Sequence, residues 1–142
     1  MKHTTAERSH CPINLSLETF GDPWSLLIVR DIVYFGKKTF GEFLSSGEGM
    51  ARNILTDRLV QLQAKGLLVK KPHPLDGRKE VYELTDDGLD LIPILLDLAE
   101  WGSRRAPPDE LPQDWLQRVR MERETLIPQI QDLVRKGGSI FG

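Results

Sequence analysis

A chain of 142 residues with 39% in the apolar set can build one compact domain and an appendage, and its formal net charge of -2 gives no overall pull toward nucleic acid or anionic lipid. The lone cysteine, Cys11, rules out an intrachain disulfide, and no apolar run is long enough to span a bilayer. The polar start MKHTTAERSH lacks the apolar core of a signal peptide, so a cytoplasmic protein with no membrane partner is expected.

Charge is unevenly placed. Arg30 to Glu80 holds ten basic and six acidic residues, against nine and fifteen elsewhere, so the positive excess is concentrated in the middle of the chain. Residues 1–10 are polar and unpatterned and read as a flexible arm. Pro12 favours an extended entry, after which Ile13, Leu15, Leu17 and Phe20 are spaced for a short helix ending at Gly21. From Pro23, a good first-turn residue, Trp24, Leu26, Leu27, Ile28, Ile32, Val33 and Phe35 predict a largely buried helix stopped by Gly36. Lys37 and Lys38 then precede a helix start, where basic side chains and free amides can hold a phosphate.

Thr39 to Gly66 predicts two helices around a glycine-bearing turn. Thr39 is the expected N-cap of the first, which packs through Phe40, Phe43 and Leu44. In the second, over about 50–64, Met50, Leu55, Leu59 and Leu62 recur on one stripe, which is buried. The opposite side shows Asn53, Thr56, Asp57 and Val60, flanked by Arg52 and Arg58. This is helix-turn-helix spacing, although two amphipathic helices around a glycine turn also occur in domains that touch no DNA. The context favours DNA: LLVKK from Leu67 and EVYEL from Glu80 read as strands, joined over about 72–80 by a turn with Asp76-Gly77 followed by Arg78 and Lys79. A helix-turn-helix followed by a basic-tipped hairpin is a winged helix, giving an α+β, mostly α fold.

After the hairpin, Thr85 caps a helix carrying Leu89, Ile92, Leu95, Leu96, Leu98, Ala99 and Trp101, in which Pro93 must cause a kink or mark a later start. So apolar a helix needs a second surface: a copy of itself in a dimer, or else its own subunit's core. Ala106 to Pro112 is a stiff connector, and residues 106–142 form a helical extension built on Trp115, Leu116, Val119, Leu126, Ile127, Ile130, Leu133 and Val134, interrupted at Pro128. The glycine-rich end from Gly137 to Gly142 is expected to fray.

Residues 11–105 resemble the HxlR-type winged-helix transcriptional regulators, relatives of the MarR group. The resemblance is carried by CPI from Cys11, GDPWSLLIVRD from Gly21, GKKTFGEF from Gly36, NILTDRLVQL from Asn53, KGLL from Lys65, VYELT from Val81 and LIPILLDLAEW from Leu91. It implies a homodimer joined by the domain's first and last helices, acting on a pseudo-palindromic operator, with a recognition helix in each major groove and a wing beside the minor groove. Carried over, the contacts on double-stranded DNA are Arg52, Asn53, Thr56, Asp57 and Arg58, with Lys38 and Thr39 at the bracing helix and Arg78 and Lys79 on the wing. Arg and Asn suit base edges, whereas Lys and Thr mainly fix register on phosphates. Each has an alternative: Arg58 as a salt-bridged flank residue, Arg78-Lys79 as a soluble turn, and Asp57, which repels phosphate, as a contact within the protein. Two departures from the family pattern stand out. Ala51 replaces the usual Ser or Thr cap of the recognition helix, and the segment from Asp109 to Lys136 is extra.

The resemblance also makes Cys11 a candidate redox sensor, since some family members sense oxidants with a cysteine at this place; His10 beside it could help deprotonate it. The alternative is a small apolar residue at the start of a helix. The three histidines, His3, His10 and His73, match no metal or catalytic motif, so an enzyme, a cofactor and a metal are not expected; a site from His3, His10 and Cys11 would lie in the arm. A small-molecule effector could occupy apolar space near Trp24, Phe35 and Trp101. The main expectation is a DNA-binding regulator, acting as a repressor. The competing one is a winged-helix module that binds protein, with Asp57 and Glu48 blocking the recognition surface.

Overall fold

The apolar run after Pro23 becomes the axis of the fold. A computed structural model of the chain describes residues 8–105 and 111–142; the rest of the expected arm and connector, with His3, lies outside the described residues. Helix α1 spans Pro12–Phe20 with its proline in the first turn, where a missing N–H costs nothing, and α2 spans Ser25–Phe35. In α2, Ile28, Val29, Ile32, Val33 and Tyr34 are all buried, and every later element packs around them.

Helices α3 (Phe40–Leu44) and α4 (Arg52–Ala64) form the helix-turn-helix. Between them Gly49 sits at φ 71, a left-handed conformation that disfavours a side chain, so the turn can reverse tightly. Met50, Leu55, Leu59 and Leu62 are buried as the periodicity predicts, though Met50 precedes the helix rather than lying in it. Burial of each is worth about 1.5–3 kcal/mol, which is what holds α4 against α2. Strands β1 (Leu68–Pro72) and β2 (Glu80–Leu84) pair antiparallel with Leu68 opposite Leu84. The first strand begins one residue later than its sequence suggests, because the Leu67 N–H closes the end of α4 on Leu62 O at 2.9 Å. The Tyr82 N–H donates to Lys38 O at 2.8 Å, attaching the segment before α3 to the wing.

Pro93 shifts a helix start rather than kinking a helix: α5 (Asp86–Leu89), capped by Thr85, ends before it, and α6 (Ile92–Ser103) takes it in its first turn. Helix α7 (Gln113–Arg135) then packs along α6 and α2, burying Trp115, Leu116, Val119, Leu126 and Ile130. The apolar surface of α6 is thus shared: Ile92, Leu95 and Leu96 are buried within the subunit, while Leu98 and Trp101 stay exposed.

Two expectations are corrected here. The break in α7 is not at Pro128, which is carried inside the helix; it falls at Glu122, with φ -126 and ψ 24, where the two halves bend to follow the core. Nor does the chain end fray. Gly137, at φ 93, closes α7 with N–H bonds from Gly137 to Val134 O and from Gly138 to Leu133 O, both 2.9 Å. The chain then turns back, and the N–H groups of Ile140 and Phe141 donate to Val33 O and Tyr34 O at 2.9 and 2.8 Å. The Phe141 ring stacks within 6.2 Å of Tyr34, Phe35 and Trp115, so apolar contact overrides the flexibility of the glycines.

Candidate nucleic-acid interface

The bracing helix α3 is satisfied from within. Thr39 Oγ1 accepts the Glu42 N–H at 3.2 Å, and the Glu42 carboxylate accepts the N–H groups of Thr39 and Lys38 at 3.0 and 2.8 Å. The Lys38 N–H contributes most to holding the Glu42 carboxyl below its ordinary value. The Lys38 and Thr39 amides therefore already face a carboxylate, which leaves the side chains of these two residues as their means of meeting a phosphate. Lys37 Nζ turns inward to Ser46 Oγ at 2.8 Å, and Lys38 Nζ reaches Gly137 O at 3.3 Å.

The recognition helix α4 differs. Its N-cap is Ala51, in extended conformation and with no side-chain cap, so its first amides are left open, as the departure from the family pattern foretold. Arg52, Asn53, Thr56, Asp57 and Val60 are exposed on one side. Arg52 lies over the Phe40 ring at 5.3 Å with no carboxylate partner among the described residues, and Asn53 makes no side-chain hydrogen bond there. The Thr56 hydroxyl donates to Arg52 O at 3.0 Å and can still accept. The last residues of the chain, docked at the far end of α2, leave this side uncovered.

Arg58 is the salt-bridged flank residue. Its Nε donates to Asp22 Oδ2 at 2.8 Å and its Nη1 to Asp57 Oδ2 at 2.5 Å, and the Asp22 bond contributes most to raising its pKa. Asp22 also accepts from the Ser25 hydroxyl at 2.6 Å and from the N–H groups of Trp24 and Ser25, both at 2.9 Å, which fastens the start of α2 to α4. Burial opposes ionisation of Asp22, but these bonds outweigh it and hold the carboxyl down at about 2. Lys65 Nζ ties α4 to the end of α1 through Glu18 O at 2.9 Å.

A second tie secures the helix-turn-helix turn. Asp31, buried in α2, accepts from Arg30 Nη2 at 2.7 Å and from the Ser46 hydroxyl, and Arg30 grips Glu48 with Nη1 and Nη2 at 2.6 and 2.9 Å. These tethers, Asp22, Arg30, Asp31 and Glu48, escape a reading of the sequence because the partners are 15 to 36 residues apart. The one local signal was an Asp three residues before Ser25, at the start of a helix.

On the wing, Arg78 is 92% exposed and pairs with Asp76 at 3.2 Å, with exposed Lys79 beside it, so the hairpin tip carries two accessible cations. Cys11 is exposed at the start of α1, where the N–H groups of Asn14 and Ile13 lower its thiol pKa, although neither closes a full hydrogen bond to it. No three His, Cys, Asp or Glu side chains gather as metal ligands among the described residues. The effector space near Trp24, Phe35 and Trp101 forms only in part: Phe35 lines a groove between α1, α2 and α6, while Trp101 is stacked under Arg105 at 3.7 Å.

This geometry, an open polar face on the second helix of a braced pair followed by a two-stranded wing, agrees with a family model for the HxlR-like helix-turn-helix that matches residues 19–110. The chain belongs to the HxlR-like helix-turn-helix family. Among HxlR-like relatives, an uncharacterised HTH-type transcriptional regulator of Mycobacterium bovis is 35% identical over 100 residues, covering 70% of this chain and 62% of that one. The chain thus spans less than two thirds of that relative's length. The crystal structure of PA1607, a candidate transcription factor, matches with TM-score 0.67 at 40% identity over 77% of this chain and 75% of the other. The redox regulator HypR, in its oxidised form, matches with TM-score 0.61 at 30% identity over 68% of this chain and 98% of the other. The fold is a winged helix-turn-helix, and these relatives are regulators rather than enzymes.

Proposed function

We propose that this protein is a transcriptional repressor that binds a pseudo-palindromic operator as a homodimer. The observation that carries the reading is the exposed face of α4, where the side chains of Arg52 and Asn53 have no polar partner among the described residues. With α4 in the major groove, Arg52, Asn53 and Thr56 meet base edges, while Lys38, Thr39, Arg78 and Lys79 meet phosphates. Arg58 and Asp57 act on DNA indirectly, by orienting the helix through Asp22.

The exposed apolar side chains of α1, Ile13, Leu15 and Leu17, together with Leu98 and Trp101 of α6, offer a surface for a second copy. Two recognition helices then read half-sites about one helical turn, or a multiple of it, apart. The protein-binding alternative needs Asp57 and Glu48 to block the face, but both are neutralised by arginines, Arg58 and Arg30. No described helix is long and apolar enough to cross a membrane, which is compatible with the proposed cytoplasmic location.

Fluorescence anisotropy with fragments of the gene's own upstream region, titrated in salt, tests the reading. Log affinity should fall linearly with log salt. Absence of any salt-dependent binding removes the proposal.

An oxidant is the favoured class of signal at the N-terminal end. The exposed Cys11 thiolate would attack a peroxide to give a sulfenic acid, and a second thiol, from a small molecule or the partner copy, would then close a disulfide and release water. HypR, a redox regulator, makes this chemistry reasonable for a chain of this fold. Intact mass under non-reducing conditions, after peroxide with and without a small thiol, reads the product; an unchanged mass rejects it.

A further inference from the structure

Among the described residues of α4, Val60 is the one large apolar side chain left exposed, at 54%. It takes no part in the core, which α4 meets through Leu55, Leu59 and Leu62. Valine is also a poorer helix former than the Gln, Lys or Arg that an outward position readily takes, so neither helix propensity nor packing accounts for it.

Its place on the outer face is specific. Asn53, Thr56 and Val60 follow one another at gaps of three and four residues, which at about 100° per residue keeps them within an arc of about 60°. At about 1.5 Å per residue, Val60 lies about 10 Å along the helix from Asn53, the rise of about three base pairs. The polar groups beside it are occupied. Asp57 is drawn onto Arg58 at 2.5 Å, and the Thr56 hydroxyl donates back to Arg52 O at 3.0 Å. That leaves Val60 and the Thr56 methyl as an apolar spot within a polar face.

The base edges of the major groove offer donors and acceptors at every pair but a single apolar group, the methyl of thymine. An apolar side chain held against that surface either meets this methyl or covers a polar edge and leaves it unmet, at a cost. We propose that Val60 selects a thymine in each operator half-site by seating its side chain on the thymine methyl, no more than about three base pairs from the pair read by Asn53. This role rests on the regulator reading above.

The test starts from duplexes that the full chain selects out of a random pool, and replaces each thymine of the selected half-site in turn with deoxyuridine, which lacks only the methyl. Anisotropy at fixed salt should show one position per half-site where deoxyuridine weakens binding about three- to fivefold, the worth of one buried methyl group. At that position methylated cytosine should bind about threefold tighter than plain cytosine. In Val60→Ala the same deoxyuridine change should alter affinity less than about 1.5-fold, with the urea midpoint at or slightly above that of the parent chain because the side chain is exposed.

An equal deoxyuridine loss in both proteins, or a sensitive thymine beyond about three base pairs from the pair whose preference relaxes in Asn53→Ala, overturns the role of Val60 and leaves the regulator reading standing. Specific binding with no sensitive thymine does the same, as does salt-dependent binding that enriches no sequence. No salt-dependent binding to any duplex removes the regulator reading and this role with it.

Discussion

The two helices of the helix-turn-helix treat their polar groups in opposite ways. Helix α3 begins on a reciprocal Thr39–Glu42 box, with Lys37 and Lys38 turned onto Ser46 and Gly137. Helix α4 begins on Ala51 with no side-chain cap, and the side chains of Arg52 and Asn53 along its outer side meet no acceptor among the described residues. Unmet polar groups in a folded chain remain in water or await a partner, so the difference separates a brace from a reading surface. Arg58 shows the boundary between the two, because it sits on α4 yet is bound to Asp22 like a residue of the brace.

Exchanging roles across that boundary should have graded consequences. The largest is expected at Asn53→Ala, which should lose about 1–3 kcal/mol of affinity for the operator and relax base preference at one position, with stability unchanged within about 0.5 kcal/mol. Paired anisotropy and urea unfolding would show it, and an equal loss on every DNA sequence would move Asn53 to the phosphate-binding set.

Asp22→Asn comes next and should cost about 1–2 kcal/mol of stability, since it weakens charge-assisted bonds to Arg58 and to the start of α2. Its pH dependence has a definite sign. The folded carboxyl titrates at about 2 against an ordinary 3.8, so its contribution is complete above the ordinary value and is lost as pH falls toward about 2. Urea midpoints taken from about pH 6 down to about pH 2.5 should fall less steeply for Asp22→Asn than for the parent chain.

Thr39→Ala should cost about 1 kcal/mol by removing one half of the box, with a smaller effect on DNA than Asn53→Ala. At the lower end, Ala51→Ser supplies the missing cap and should stabilise the protein by about 0.5 kcal/mol. A failure to stabilise, measured by thermal unfolding, would mean that the first amides of α4 are already met and would weaken the contrast itself.

Much of this was readable along the chain because it is local. Thr39 followed by Glu42 is a cap within four residues, Met50 to Leu62 is a stripe within four turns, and Pro93 can only sit in a first turn or bend a helix. What escaped was set by distance. The Arg58 tie to Asp22 spans 36 residues and the Lys38 contact with Gly137 spans 99, and neither has a periodic signature. The chain end read as frayed because glycine favours disorder, yet Phe141 found Tyr34 and Trp115, two rings from distant helices. Pro128 read as a break, but the bend went to Glu122, where the helix follows the surface beneath it.

The order of caps, stripes and turns in these 142 residues is enough to specify a winged helix-turn-helix and to point at the outer side of α4, because each of those signals acts between neighbours. Which polar groups stay open there is a different matter. Arg52, Asn53 and Arg58 are alike in the sequence as candidate contacts, and only the packing of α2 beside α4 brings Asp22 to Arg58 and leaves the other two open. Whether a charge is available depends on what else lies within about 4 Å of it, and that distance exists only once the chain has folded.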